Sequence, residues 1–432
     1  MIVESFGDAR TIGAAWILLS AMLLAPGTTD AQEGGDAAHR LTLVEAQALG
    51  RTISPELAAA REAVVAARGQ ERQAGAFLNP SVVYVHEETS QSGETNREDI
   101  ALFQQPLEVA GQRGLRKEAA RLRREAAEAQ LSAVELDVDF EVARAYATAA
   151  AADLKAARST EAADAFARAR ETSARRRKRG DVSGYEDRRT ALEAARYAAL
   201  RADAERELRT ARAHMRSLIF ASPEATSALQ GPLDDTLDEG ALGPDLDQLR
   251  RVALDQHPAI RAAELAHRSD EAGARLSRRE VVPDPTLGLG YKREKMADVS
   301  GSWDGFTAQV TVPVPLWDRR GGTVEAAEAE ARRSAAELRR ERRRVALEVE
   351  QSFYELQATS EQLEVIRPQL GAEAKRALQA ARTAYEEGEI ALVEWLDAVR
   401  AYYEAESSYA DLLADHLIRR AALERAVGGS LQ

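Results

Sequence analysis

The 432-residue chain contains no cysteine. That excludes disulfides, thiolate metal centres, cysteine nucleophiles and lipid attachment to an N-terminal cysteine. Aromatic residues are only 5% of the chain, too few for several thick globular cores. A basic excess is also missing. The net charge of −13 removes the concentrated cationic surface that nucleic-acid binding requires. No GxSxG, Walker-type loop or HExxH occurs, so no catalytic residue is assigned. The six histidines, His39, His86, His214, His257, His267 and His416, never fall three or four residues apart. With no cysteine to join them they make no metal-ligand pattern, and neither a metal nor a cofactor is expected.

One apolar run stands out, "TIGAAWILLSAMLLA" at Thr11–Ala25. Its length suits the apolar core of a secretory signal and is short for a membrane helix. Small residues Thr29 and Ala31 suit cleavage after Ala31, although Glu4 and Asp8 offset Arg10 in the leading region. Residues 1–31 are therefore expected to be a signal peptide, and no later run of about twenty apolar residues could span a bilayer as a helix.

What the chain has instead is alanine, arginine, glutamate and leucine, with 30% charged residues, a composition of long helices packed side by side. It also has an internal repeat. "SPELAAAREAVVAARGQ" from Ser54 resembles "HPAIRAAELAHRSDEAG" from His257, and Pro55 answers Pro258 at a helix start. Each such helix ends at a second proline, Pro80 or Pro285, and is followed by two strand-like runs. In "PTLGLGYK" and "FTAQVTVPV" apolar residues alternate with polar or small ones, the period-two pattern of strands with one apolar face. "SVVYVHEE" and "EDIALFQQP" in the first half alternate less cleanly.

Long helices follow. Val349, Leu356, Leu363, Leu370 and Ala377 recur every seven residues, and beyond Gly388 so do Leu392, Val399 and Leu413, alongside Leu396, Tyr403, Ala410 and Leu417. A sustained heptad predicts coiled-coil packing. Pro368 within the first track removes a backbone hydrogen bond. The expected organisation is a first repeat over 32–222, with strands about 80–89 and 98–107 and helices about 112–178 and 182–220. A linker rich in helix breakers spans 223–245. The second repeat covers 246–432, with strands about 285–294 and 305–315 and helices about 319–386 and 390–427. The fold class is mainly α with a small β part.

Four strands with one wet and one apolar face cannot close a barrel alone, but three copies supply twelve. Here "LNPSVVYV", "QQPLEVAGQRG", "PDPTLGLGY", "VTVPVPLWDRRGGTVEAA" and "AYEEGEIALVEWLDAVRAYYEAE", in this order on a duplicated frame, resemble the TolC-type outer-membrane efflux proteins. "QQPLEVAGQRG" and "VPVPLWDRRGG" look most like the branch serving cobalt-zinc-cadmium efflux. The resemblance implies a homotrimer, with a twelve-stranded outer-membrane barrel continued by a twelve-helix periplasmic tunnel. It implies a Gram-negative outer membrane; the signal-like run adds an expected cleaved signal, and since lipidated members use a cysteine that this chain lacks, no lipid anchor is expected. It also implies a passive channel that receives cargo from an inner-membrane pump, of the proton-driven RND type, through a periplasmic adaptor.

By the same resemblance, adaptor-contact tips fall at Arg179, Gly180, Asp181 and Ser183, and at Glu387, Gly388, Glu389 and Ala391. A glycine that merely ends a helix explains Gly180 and Gly388 equally well. Glu386, Glu387 and Glu389 are candidate aperture charges, with Arg175 and Arg176 in the basic run 175–179 as candidate partners. Trp317, Tyr291, Trp303 and Tyr84 are candidates for the aromatic girdle at the membrane interface, Trp317 foremost because the strand stops just before it. Two other readings stay open: a multidrug or type I secretion channel, and a periplasmic coiled-coil scaffold that leaves the alternating strands unexplained.

Overall fold

A computed structural model describes residues 41–91, 93–220, 245–297, 300–370, 372–387 and 389–431. The signal-like segment and nearly all of the linker lie outside these residues.

Two short helices open each half. In α1 (Leu43–Ile53) Thr42 accepts from the Glu45 N–H while the Glu45 carboxylate accepts from the Thr42 N–H, a reciprocal capping box. Ser54 caps α2 (Pro55–Ala74) in turn. Strands β1 (Ser81–Gln91) and β2 (Glu94–Pro106) follow, then α3 (Gln112–Arg179) and α4 (Gly184–Ile219). The second half runs α5 (Leu246–Gln256), α6 (Pro258–Arg279), β3 (Thr286–Lys295), β4 (Trp303–Thr311), α7 (Gly321–Leu370), α8 (Ala372–Glu387) and α9 (Leu392–Val427). The separate helices α1 and α5 were not anticipated, although the Thr42–Glu45 box was present to be read. The helix expected over about 319–386 is described as α7 and α8, on either side of residue 371, which lies outside the described residues. Among the described residues no helix is long and apolar enough to cross a bilayer.

The 68 residues of α3 extend about 100 Å at 1.5 Å per residue. Alanine makes their packing possible. Ala145, Ala149 and Ala152 meet Met215 and Ile219 of α4, and Ala119 and Ala129 meet Ala262, Leu265 and Ala272 of α6. Small side chains let neighbouring helices approach closely, which replaces a thick apolar core with a narrow seam. Along α7, Val349, Leu356 and Leu363 are buried as the heptad predicts. Ala377 is exposed, contrary to it, because α8 turns a different track inward: Leu378, Ala381 and Tyr385. In α9, Leu392, Leu396, Val399 and Ala410 are buried. Glu406 fills the heptad position between Val399 and Leu413, where it is buried and takes a hydrogen bond at 3.1 Å from the Arg158 guanidinium of α3. A carboxylate is tolerated in such a seam only when paired in this way.

The four strands form one antiparallel sheet in the order β1-β2-β3-β4. The outer edges of β1 and β4 therefore carry unpaired backbone groups within one chain. At the centre, Gly290 pairs with Leu102, and a Cβ on Gly290 would lie 2.2 Å from the Ala101 carbonyl oxygen and 2.9 Å from a Leu102 methyl. Only glycine allows β3 this close to β2. Gly305 of β4 has nothing within 4 Å of an added Cβ.

The two halves differ at one cap. Where Ser54 caps α2, His257 caps α6: its Nδ1 accepts from the Ala259 N–H at 3.2 Å and its Nε2 faces the Arg425 carbonyl at 3.3 Å. Both bonds require the neutral ring, protonated on Nε2 alone. Burial holds this imidazole below the ordinary histidine range, with nearby Arg344 acting in the same direction; Glu348 and Glu341 oppose it, as does the carbonyl bond. The folded chain thus binds the proton less readily than the unfolded one, so stability is lost as pH falls below about 6.5.

Two outcomes follow from these sites. Gly290→Val should abolish the ordered sheet and any heat-resistant assembly on gels, whereas Gly305→Val should leave it. Replacing His257 with serine, the residue of the first half, should flatten the fall in melting temperature of the detergent-solubilised protein between about pH 7 and pH 5. An unchanged slope would remove His257 as its source.

Candidate functional site

The candidate machinery lies in the sheet and in the two helical turns. Cross-strand partners point to the same face of a sheet, so the pairing sorts the side chains. One face carries Val82 and Tyr84 of β1, Ala101 and Phe103 of β2, Leu287, Leu289 and Tyr291 of β3, and Phe306, Ala308 and Val310 of β4. It is apolar, and Phe306 is 97% exposed, Val310 68% and Tyr84 66%, far more than a water-soluble sheet leaves bare. The opposite face carries Gln104, Gly288, Gln309 and Thr307, and farther along Glu98, Lys292 and Glu294. Lys292 bridges Glu98 at 3.0 Å and Glu294 at 3.4 Å.

Tyr84, Tyr291 and Phe306 form one row across the apolar face. Their polar neighbours come next: the Tyr84 hydroxyl donates to Asp99, and the Tyr291 hydroxyl donates to Asp304, each at 2.5 Å. His86 faces Asp99 at 2.7 Å and Arg293 pairs with Asp304 at 2.9 Å. The row is thus a boundary, with apolar side chains on one side of it and charge on the other. Trp317 lies beyond the other end of β4 and is 93% exposed. β4 runs on from Phe306 only to Thr311; the chain then leaves the sheet, and the Leu316 N–H donates to the Val314 carbonyl just before Trp317. Trp303 does not share this face. The register sets it opposite Glu294, so of the three girdle candidates within the sheet it alone falls on the polar side.

At the far end of the helices, Gly180 ends α3 with φ 87°, a conformation that favours glycine, and the Asp181 N–H donates to the Arg176 carbonyl at 3.0 Å. Ser183 caps α4 through the Glu186 N–H, and Arg177 pairs with Asp187 at 2.7 Å across the turn. Arg179 is the last residue of α3. In the second turn Glu387 ends α8, the Glu389 N–H donates to the Ala384 carbonyl at 2.8 Å, and Ala391 precedes α9. Gly388 and the side chain of Glu386 lie outside the described residues. Ala391 has no side-chain cap to offer, unlike Ser183.

The two turns meet through Arg176, which the sequence offered as an aperture charge, and through Tyr385 and Trp395, which sequence reading did not single out. The Arg176 guanidinium lies 5.4 Å from the Tyr385 ring centre, and Tyr385 stacks on Trp395 at 5.3 Å. Phe166 of α3 stacks on Tyr197 of α4 at 4.0 Å just above. Such contacts contribute about 0.5–1.5 kcal/mol each beyond area burial. Arg175 donates to the Thr172 hydroxyl at 3.2 Å. The signal that could have found this group was the spacing: Tyr385 lies three residues before Gly388, and Trp395 lies in the first turn of α9. Among the described residues no three His, Asp or Glu side chains gather as a cation site.

The family described as outer membrane efflux protein matches residues 249–429. The cobalt-zinc-cadmium resistance protein CzcC of Cupriavidus metallidurans is 28% identical over 396 residues, 91% of either chain. The nickel-cobalt-cadmium resistance protein NccC of Alcaligenes xylosoxydans xylosoxydans is 28% identical over 73% of this chain and 68% of its own. Among solved structures, the outer membrane protein VceC of Vibrio cholerae has the same fold, with a TM-score of 0.71 at 18% identity over 90% of this chain and 97% of that one. Residues 249–429 match the outer membrane efflux protein family, and the paired strands with a bare apolar face, the two helical turns far from them and the likeness to CzcC and VceC along nearly the whole chain agree with that match.

Proposed function

We propose that three copies of this chain close a twelve-stranded barrel in the outer membrane and continue it as a helical tunnel into the periplasm. The observation that carries this is the sheet itself: four strands, an exposed apolar face and two unpaired edges. A bilayer admits strands only when every edge is paired. Three times four strands, β4 of one copy beside β1 of the next, satisfies that and leaves the polar face to line a wet lumen. The channel is passive. Cargo expelled by an inner-membrane pump, driven by protons, enters through a periplasmic adaptor that docks on the helical tips around Gly180 and Gly388. A cleaved signal delivers the chain, and the barrel alone holds it in the membrane.

Heavy-metal cations are the proposed cargo. Two relatives are named for resistance to cobalt, cadmium, zinc and nickel. The lumen-side rows support passage of cations, with Glu98 and Glu294 against a single Lys292 in each copy. Glu386, Glu387 and Glu389 would add acidic charge at the aperture, with Arg175 and Arg176 as the proposed ties between tips.

Deleting the gene should lower tolerance to cobalt, zinc or cadmium, and the protein should fractionate with the outer membrane as a species that shifts to monomer on heating before electrophoresis. A soluble periplasmic monomer would reject the channel. Lost tolerance to organic drugs with unchanged metal tolerance would transfer the cargo to the multidrug class.

A further inference from the structure

The helical turns hold a cavity of about 410 Å³ between α3, α8 and α9. Its lining includes the guanidinium-bearing side chains of Arg168, Arg176 and Arg382 and contains no carboxylate. Tyr385, Trp395 and Tyr403 make its aromatic wall. Burial raises both phenols, Tyr403 to about 12, so neither supplies a counter-charge near neutral pH. Glu186 and Glu161 act on these phenols from outside the lining. Trp395 is 9% exposed, and its indole Nε1–H is buried with no hydrogen-bond partner among the described residues. A buried donor left without an acceptor is a standing cost, which an acceptor that reached it would relieve.

On the α3–α4 side of the cavity the charge is of the same sign, while Glu387 and Glu389 lie in the turn between α8 and α9. Between Arg168 and Arg189 nine Lys and Arg stand against four Asp and Glu, a net of +5 in a chain whose total is −13. Guanidinium groups recognise carboxylates by charge-assisted hydrogen bonds, and an indole N–H adds a neutral donor. Arg176 is already oriented by the Tyr385 ring, so little side-chain freedom remains to be lost on binding.

The geometry points to this cavity as a carboxylate-binding socket that seats an acidic segment of the periplasmic partner. The inference rests on the proposed role of the tips as the docking end and names the chemistry recognised there. The partner presents Asp or Glu to Arg168 and Arg176, with its apolar neighbours against Tyr385 and Trp395. Docking is then electrostatically steered and weakens with salt.

The test uses the purified, detergent-solubilised protein with Trp303→Phe and Trp317→Phe, so that Trp395 reports from the mature chain. The probe is a synthetic helical peptide of glutamate and alanine; its lysine-alanine counterpart and sodium acetate are the controls. The glutamate peptide should shift Trp395 emission in a saturable manner, and its apparent Kd should rise roughly tenfold between about 50 and 500 mM salt. Arg168→Gln with Arg176→Gln should weaken it at least as much, and the corresponding lysine pair should retain most of the binding. No response to the glutamate peptide, or an equal response in the glutamine pair, overturns the socket. Acetate saturating the site while the peptide does not overturns it as a docking surface. A bulky, charge-reversing change at Asp181 (Asp181→Arg) and a bulky change at Val182, both outside the cavity, test the docking end separately through metal tolerance. Should those abolish tolerance while the peptide fails to bind, the socket alone falls; should they leave tolerance intact, the docking end itself falls.

Discussion

A bilayer gives no water to a strand's backbone N–H and C=O groups, and every other feature of the proposed assembly follows from that constraint. Within one chain the sheet satisfies β2 and β3 on both sides and leaves β1 and β4 each with one bare edge. In water such edges invite aggregation. In lipid they are forbidden unless another chain covers them. The side chains carry the same message. Phe306, Val310 and Tyr84 face outward with nothing of their own chain upon them, and the polar row behind Tyr84 and Tyr291 begins where a headgroup layer would. The glycine at 290 shows how closely the strands are drawn together before any partner arrives.

The helices answer a different demand, which is length without bulk. A stretch of 68 residues in α3 cannot bury much of its surface in a narrow wall, so the chain uses alanine for the seam and ion pairs across it. Arg158 with Glu406, Lys155 with Asp411, and Arg400 with Glu193 tie α9 to α3 and α4 along the bundle. Exposed pairs of this kind contribute little each, but the partly buried ones fix register, since a slipped helix would strand Glu406 without its cation. Toward the tips alanine gives way to Phe166, Tyr197, Tyr385 and Trp395, the densest aromatic cluster of the helices.

Much of this plan was legible because period and order survive in a single sequence. The second-half strands alternate cleanly, and Val349, Leu356, Leu363, Leu392 and Val399 mark the seam without help from the structure. The first-half strands read poorly for a physical reason: Val83, Val85, Ile100 and Leu102 put apolar residues on the face that is polar in β3 and β4, and Leu102 lies against the space left by Gly290. Trp303 was assigned to the girdle by its type, whereas its face is set by pairing with Glu294, which depends on a register no local pattern fixes. Ala377 continued a count of seven that the chain abandons between α7 and α8. In the sequence His257 is only one of six histidines in no metal pattern and the start of the second repeat; its place between the cap on α6 and the carbonyl of Arg425 needed both helices in position. At the tips, Gly180 was visible as a helix stop, but the union of Arg176, Tyr385 and Trp395 needed three helices in place.

The central claim is that β1 of one copy completes β4 of another, and the absence of native cysteine makes that directly measurable. With one cysteine at Val83 in β1 and a second walked through Thr307, Gln309 and Thr311 in β4, oxidation in intact outer membranes should link subunits in at least one register and yield a three-chain product on denaturing gels. Failure of every pair to join separate chains, in membranes where the protein is folded and present, would contradict the account.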